Sequence, residues 1–235
     1  MSEDEAGTVG FIGLGDQGGP IARRIADAGR PLAVWGRRRE TVAPFVAAGA
    51  RDERSPARLG EVSWLVGVCV RNDDDVRDVV LGDGLLSGMR PGSVLAIHST
   101  VHPDTVREVG AAAAAVGVEV LDAPVSGGSR AAAAGTLTVM VGGDPAVFAR
   151  VRPVFETFGI PVLLGGIGSG QTAKLINNTV MAANLALARA AGETAAALGL
   201  DRGAFLDLLG RSSGRSQALD TLVRVQRARR AGAVE

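Results

Sequence analysis

The chain has 235 residues, enough for one large domain or for a full domain with a smaller one beside it. Its 25 basic side chains balance 25 acidic ones, so no excess charge attracts nucleic acid or an anionic membrane surface. One cysteine, two histidines and no tyrosine exclude a disulfide framework, argue against a zinc site, and remove any mechanism with a tyrosine phenol as proton donor.

In chain order, short apolar runs alternate with amphipathic stretches. Strands are predicted at 8–12, 31–35, 64–70, 93–97, 118–121, 135–141 and 160–164, and helices at 19–28, 40–48, 73–80, 103–115 and 145–158. Such alternation is typical of a mainly parallel sheet with helices on both faces. The sequence therefore predicts an α/β fold of the Rossmann type.

The chain changes character after a glycine-rich segment at 165–170. Residues 171–198 are rich in alanine and leucine, and a helix of that length extends about 40 Å at 1.5 Å per residue. We predict a first domain at 1–166 and a partial all-helical second domain at 167–235, joined by this long helix. The acidic start, residues 1–5, is unlike a secretory signal, and no run of about 20 apolar residues is present. We therefore expect a cytoplasmic protein.

A glycine turn follows the first predicted strand and opens the first helix. Gly13, Gly15 and Gly18 match G-x-G-x-x-G in the context that binds a dinucleotide pyrophosphate, and Leu14, Asp16 and Gln17 complete the turn. The alternative is a plain structural turn. We expect the Asp16 carboxylate to point to solvent, because it would repel a bound anion.

The end of the second predicted strand indicates which cofactor the turn would hold. NAD sites place an acidic residue there to bind the ribose hydroxyls, but this chain has Gly36 followed by Arg37, Arg38 and Arg39. A guanidinium pairs with a 2′-phosphate, so the sequence favours NADP over NAD, with Arg37 as the first candidate and Arg38 as the second. The alternative is a solvated basic helix start, which applies first to Arg39 and then to Arg38.

Lys174 is the only lysine among 25 basic residues; the other 24 are arginines. Arginine does not release its proton near neutral pH, whereas a buried lysine can act as a proton donor and acceptor. The alternative is a solvated charge on a helix. Asn178 follows four residues later and so shares a helix face with Lys174.

Two further groups are candidate sites. Ser126, Gly127 and Gly128 offer a hydroxyl and unobstructed backbone N–H groups, which suit a carboxylate, although the same residues could form a structural turn. His98 and His102 have the spacing of a metal pair, but no further ligand completes a set. We interpret both histidines as solvated or as helix caps, and we expect no metal.

Several motifs occur together in a fixed order along the chain. They are Gly10-Phe11-Ile12-Gly13-Leu14-Gly15, Asp122-Ala123-Pro124-Val125-Ser126-Gly127-Gly128, Gly135-Thr136-Leu137 with Met140-Val141-Gly142-Gly143, and the segment Gly168 to Asn178. Over residues 8–215 this order resembles the β-hydroxyacid dehydrogenase family, of the 3-hydroxyisobutyrate dehydrogenase and tartronate semialdehyde reductase type. The first domain is similar to the NADP-binding domain of 6-phosphogluconate dehydrogenase.

The resemblance implies an NAD(P)-dependent oxidoreductase that interconverts a small 3-hydroxy acid and its semialdehyde. It implies Lys174 as general acid and base, and substrate binding by Ser126, Gly127, Gly128 and Asn178. Thr100 corresponds to a cofactor-binding position, although Ile97 stands where the family often has an acidic residue. A homo-oligomer, a dimer or tetramer, is expected.

Family members usually continue further, through a complete helical domain that carries another lysine. Here an arginine-rich segment ends the sequence, so we expect a shortened second domain and an active site open on one side. Two alternatives to the dehydrogenase therefore stay open. One is a cofactor-binding protein with impaired catalysis, and the other is an imine reductase on the same scaffold, a class that generally lacks the lysine.

Overall fold

The structure is a computed structural model that describes residues 7–230; the acidic start and the last five residues of the arginine-rich tail lie outside this range. The strands are β1 (Val9–Ile12), β2 (Leu32–Trp35), β3 (Arg51–Asp52), β4 (Leu65–Val68), β5 (Val94–Ile97), β6 (Glu119–Asp122), β7 (Val125–Ser126), β8 (Leu137–Gly142) and β9 (Gly159–Gly165). The helices are α1 (Gly18–Asp27), α2 (Arg39–Val46), α3 (Pro56–Val62), α4 (Asp73–Arg77), α5 (Leu85–Gly88), α6 (Pro103–Ala114), α7 (Gly128–Ala134), α8 (Pro145–Phe155), α9 (Ser169–Ala197), α10 (Arg202–Leu209) and α11 (Gln217–Arg230), and a π-helical segment at Asp78–Gly82 continues α4.

The strands form one sheet in the order β3-β2-β1-β4-β5-β6-β8-β7, with β9 paired to β8. All pairs from β3 to β6 are parallel, and β8 runs antiparallel to both β6 and β7. The predicted mainly parallel α/β sheet of the Rossmann type is confirmed. The chain moves from β1 to one side through β2 and β3, and β4 to β6 lie on the other side.

Alternate residues of each central strand face opposite sides of the sheet. Val9 and Phe11 of β1 belong to a core cluster that includes Ile21 of α1 and Phe155 of α8. Ile12 belongs to the cluster on the other face, which is formed with α3, α5 and α6. Because both faces are covered, the central strands are apolar along their whole length, as parallel strands require.

The described chain divides into two compact units, the first ending at Lys174 and the second beginning at Leu175. The second unit is helical and has its own small core of Ala188, Leu206, Leu219 and Leu222. Among residues 7–230, none of the helices has both the length and the hydropathy of a membrane-spanning segment.

Sequence patterns located the longer elements and missed the shortest. Two-residue strands β3 and β7 and the short helices α3, α5 and α7 were not predicted. A strand of two residues is too short to show alternating apolar and polar side chains. A helix of one or two turns has too few positions to show a periodic apolar face.

Candidate cofactor and proton-transfer site

The site lies at the carboxyl ends of the parallel strands, where β1 and β4 are neighbours. The chain leaves these two strands in opposite directions across the sheet, which opens a crevice between their following loops. Gly13 follows β1, Cys69 follows β4, and residues 98–100 follow β5 at the same edge. This edge is where an open α/β sheet binds its ligand.

Glycine suits each of the three positions in the turn for a different physical reason. Gly13 has φ of +94°, and a Cβ there would overlap the Cys69 carbonyl oxygen. A Cβ at Gly18 would overlap the Gly13 carbonyl oxygen, so only glycine lets α1 start this close to β1. A Cβ at Gly15 would meet no atom within 4 Å, which leaves its backbone open to a ligand.

A cavity of about 690 Å³ occupies the crevice. That volume lies in the range of small-molecule and cofactor sites. Its walls come from the glycine turn and from the ends of β2 and β4, with α4 alongside: Ile12, Gly13, Leu14, Gly15, Asp16, Gln17, Gly18, Trp35, Gly36, Arg37, Arg38, Thr41, Cys69, Val70, Arg71, Asp75 and Val79. The structure thus brings the glycine turn together with Arg37 and Arg38. An exposed backbone cradle with nearby guanidinium groups fits a dinucleotide.

The three arginines after β2 have different partners. Arg37 Nη2 lies 2.6 Å from Asp75 Oδ1, and this hydrogen bond, with the charge of Asp75, raises the pKa of Arg37. Arg39 pairs with Asp52 outside the cavity lining. Arg38 is 3.9 Å from Glu40, with both side chains largely exposed. Asp75 was not among the predicted site residues, because it is one of three consecutive aspartates and the sequence does not show which one faces the crevice.

The side chain of Gln171 joins the lysine-bearing helix to the loop that carries Thr100. Its Nε2 donates to the Ser99 carbonyl oxygen at 2.7 Å, and its Oε1 accepts from the Val101 N–H at 3.1 Å. Ser99 Oγ in turn accepts from the Val70 N–H at 2.8 Å. Thr100 is exposed and does not line the cavity, but both its neighbours are held to α9 through Gln171.

Asp122 at the end of β6 holds the start of the same helix. Its Oδ1 accepts from the Gly168 N–H and its Oδ2 from the Gln171 N–H, both at 2.7 Å. Burial raises the pKa of Asp122, and the donated backbone hydrogen bonds oppose that rise. A buried carboxylate at a helix N-terminus is stabilised by these N–H groups and by the helix dipole. Asp122 and Gln171 therefore fix the first turns of α9 at the carboxyl edge.

Lys174 lies one turn after Gln171 and is half-buried. Burial lowers the pKa of its amine. Within residues 7–230 the amine has no hydrogen bond and no carboxylate within 4.0 Å, so no fixed negative charge stabilises its proton. Asn178 follows one helical turn later, in the second unit. Lys174 is thus neither a fully solvated helix charge nor part of a structural ion pair.

The predicted carboxylate-binding segment lies between β7 and α7. Ser126 is half-buried on β7, and the exposed Gly127 and Gly128 have φ of +132° and +73°. Such φ values are strained for residues with a Cβ, so this turn requires glycine. None of the three lines the dinucleotide cavity.

The histidines have separate environments. His102 caps α6, where its Nδ1 accepts from the Asp104 N–H at 3.2 Å. The expectation that His98 is solvated or caps a helix was wrong, because it is 3% exposed and packs against Phe11, Phe155 and Phe158. Burial lowers the pKa of His98 to about 4. The described residues contain no cluster of three metal-binding side chains.

The two parts of the sequence match two family models. Residues 8–166 match the NAD binding domain of 6-phosphogluconate dehydrogenase, and residues 168–233 match the NAD-binding region of NADP-dependent 3-hydroxyisobutyrate dehydrogenase. An uncharacterized oxidoreductase of Shewanella frigidimarina is 39% identical over 74% of this chain and 61% of its own length. The NAD-dependent L-serine dehydrogenase of Pseudomonas aeruginosa is 38% identical over 90% of this chain and 72% of its own. The chain spans less than two thirds of the Shewanella protein.

Solved structures agree with these matches. The 3-hydroxyisobutyrate dehydrogenase of Mycobacterium tuberculosis with L-serine has a TM-score of 0.85 at 32% identity, over 92% of this chain and 74% of that one. Psf3 in complex with NADP+ and 2-OPP has a TM-score of 0.85 at 30% identity, over 97% and 80%. An imine reductase of Streptomyces aurantiacus, with a TM-score of 0.79 over 97% and 79%, is only 20% identical and shows the fold alone. By both family models and these relatives, the chain belongs to the β-hydroxyacid dehydrogenase family.

Proposed function

We propose that the chain is an NADP-dependent oxidoreductase that interconverts a small 3-hydroxy acid and its semialdehyde, with Lys174 as general acid and base. The observation that carries this proposal is the state of Lys174. It is the only lysine, it is half-buried with a lowered pKa, and Asp122 and Gln171 hold its helix at the carboxyl edge of the sheet.

Proton transfer is the step that this lysine supports. A nicotinamide dinucleotide, when bound, supplies or accepts the hydride. In the reducing direction the Lys174 ammonium donates a proton to the oxygen of the former carbonyl, and in the oxidising direction the free amine accepts it. Its lowered pKa favours this exchange near neutral pH, because the charged and neutral forms are then closer in free energy.

The dinucleotide would lie along the turn from Gly13 to Gly18, with Arg37 and Arg38 beside its 2′-phosphate and Thr100 nearby. Guanidinium groups in the cavity wall support NADP. Both cofactors occur among the names of the matches: one relative is called NAD-dependent, and one family model describes an NADP-dependent enzyme. Titration of NADPH against NADH tests this preference directly.

The substrate class follows from the groups available to hold it. The Ser126 hydroxyl and the N–H groups of Gly127 and Gly128 suit a carboxylate, and the Asn178 amide suits a hydroxyl or the carboxylate. 3-Hydroxyisobutyrate and L-serine, named with relatives, both carry a carboxylate and a hydroxyl on the third carbon. We also propose that the chain forms a homo-oligomer, and sedimentation equilibrium tests this.

The test compares wild type with Lys174→Ala and Lys174→Arg. Arginine keeps the positive charge but does not release its proton, so both variants should lower kcat by about 10²- to 10⁴-fold. The Kd for NADPH, measured by fluorescence, should stay within about twofold of wild type. Equal loss of NADPH binding, or full activity of the arginine variant, would remove Lys174 from proton transfer.

The substrates in this test are 3-hydroxy acids, their semialdehydes and cyclic imines. Turnover of the semialdehydes supports the dehydrogenase. Turnover of imines alone indicates an imine reductase, and NADPH binding without any turnover indicates a cofactor-binding protein.

A further inference from the structure

Arg37 is not a free cation in the cavity wall. Its guanidinium donates to Asp75 Oδ1 at 2.6 Å. The Arg37 side chain is 62% exposed, whereas the Asp75 side chain is only 18% exposed. Asp75 itself lines the cavity. The carboxylate therefore lies on the side of the crevice to which the arginines bring positive charge.

Asp75 is held in place by its own helix start. Its backbone N–H donates to Asn72 Oδ1 at 2.8 Å, so Asn72 caps α4. The carboxylates of Asp78 and Asp83 add to the negative potential around Arg37 and, like Asp75, favour its charged form. Arg37 is thus paired with a carboxylate before any ligand arrives.

This arrangement affects the two cofactors differently. A 2′-phosphate dianion competes with Asp75 for the Arg37 guanidinium and is repelled by the carboxylate itself. An unphosphorylated ribose carries hydroxyl groups, which donate hydrogen bonds to a carboxylate without repulsion. The cavity therefore combines two arginines that favour NADP with one aspartate that opposes it.

We propose that Asp75 is a specificity-determining residue that restrains the preference for NADP(H) over NAD(H) by engaging Arg37. This inference rests on the proposed position of the 2′-phosphate at Arg37 and Arg38. Asp75 acts on the adenosine end of the cofactor and takes no part in proton transfer. Its removal should change binding selectivity without any change in the chemistry at Lys174.

The test measures the Kd of NADPH and of NADH by fluorescence titration for wild type, Asp75→Asn and Asp75→Ser. The serine variant guards against a new contact from the asparagine amide, and thermal melting checks that each variant is folded. Asp52→Asn is the matched control. It removes one negative charge from a neighbouring Asp–Arg pair whose members, Asp52 and Arg39, do not line the cavity.

We expect both Asp75 variants to raise the ratio of the NADH Kd to the NADPH Kd by about 3- to 10-fold, mainly through tighter NADPH binding. Asp52→Asn should change that ratio by less than about twofold. An unchanged or lowered ratio, no measurable binding of either nucleotide, or an equal rise in the control would overturn the proposal. NADPH binding without turnover in wild type would refute the proposed function but not this inference.

Discussion

At the residue scale, His98 is the side chain whose environment departs furthest from what the sequence indicates. Its ring lies 5.4 to 6.0 Å from those of Phe11, Phe155 and Phe158, and its Nδ1 is 2.9 Å from the Ala123 carbonyl oxygen. A carbonyl oxygen only accepts, so Nδ1 carries the proton of a neutral imidazole. A charged ring would be unfavourable in this aromatic core.

The buried His98 predicts a loss of stability in mild acid. Burial lowers its pKa in the folded state to about 4, against about 6.5 when unfolded, so only the unfolded chain takes up the proton between these values. The free energy of unfolding therefore keeps the full contribution of neutral His98 above pH 6.5. It decreases as the pH falls towards 4, by about 3 kcal/mol in total. Urea unfolding at pH 7.5, 5.5 and 4.5 measures it.

The controls use the second histidine. His98→Phe should flatten the pH dependence across this window, whereas His102→Asn should keep the wild-type slope, because His102 is an exposed helix cap. An identical slope in wild type and His98→Phe would refute this explanation. Sequence spacing could not predict the burial of His98, because the phenylalanines around it come from distant parts of the chain.

At the element scale, the start of α9 depends on Asp122. In Asp122→Asn one of the two backbone N–H groups, of Gly168 or Gln171, faces an amide NH2 and loses its acceptor. A buried donor without a partner costs roughly 1–3 kcal/mol. We expect that decrease in the free energy of unfolding by urea denaturation, together with a larger decrease in kcat than in NADPH affinity, because Lys174 lies on this helix.

Asp144 provides a matched control for this prediction. It caps α8 through the Ala146 and Val147 N–H groups but is exposed, so Asp144→Asn should have a smaller effect on stability and none on kcat. If Asp122→Asn lowered stability and left kcat unchanged, Asp122 would be a helix cap without influence on Lys174.

Sequence patterns predicted the strands and helices around the dinucleotide cavity, but neither β7 and α7 beside Ser126 nor the contacts between elements. The glycine turn, Arg37, Arg38 and Lys174 each stand out by residue type or spacing. Asp75, Asp122 and Gln171 do not, because their importance comes from partners on other elements. Gln171 and Ser99 are 72 residues apart in the chain, and no local pattern relates them.

At the scale of the whole molecule, the two compact units have cores of very different size. The first has an apolar cluster on each face of its sheet, whereas the second has four buried residues at its core, Ala188, Leu206, Leu219 and Leu222. We expect amides of α10 and α11 to exchange with deuterium much faster than those of β1, β4 and β5, because opening a small core requires less free energy.

Hydrogen exchange with mass spectrometry tests this, at two protein concentrations so that self-association is recognised. NADPH at about 100 times its Kd should add about 2.7 kcal/mol to the stability of the state that binds it and slow exchange in the sheet. Equal protection of α10 and β1 in the free protein would show that the second unit does not open independently.

The single lysine, which is half-buried, also allows the molecule to be labelled chemically at one known side chain. A reagent that forms stable adducts only with primary amines meets one lysine in all 235 residues, so each such adduct lies at Lys174 or at the amino terminus. The labelling rate at this one position then reports how accessible and how basic the amine is. Mass spectrometry can follow that rate without any engineered tag.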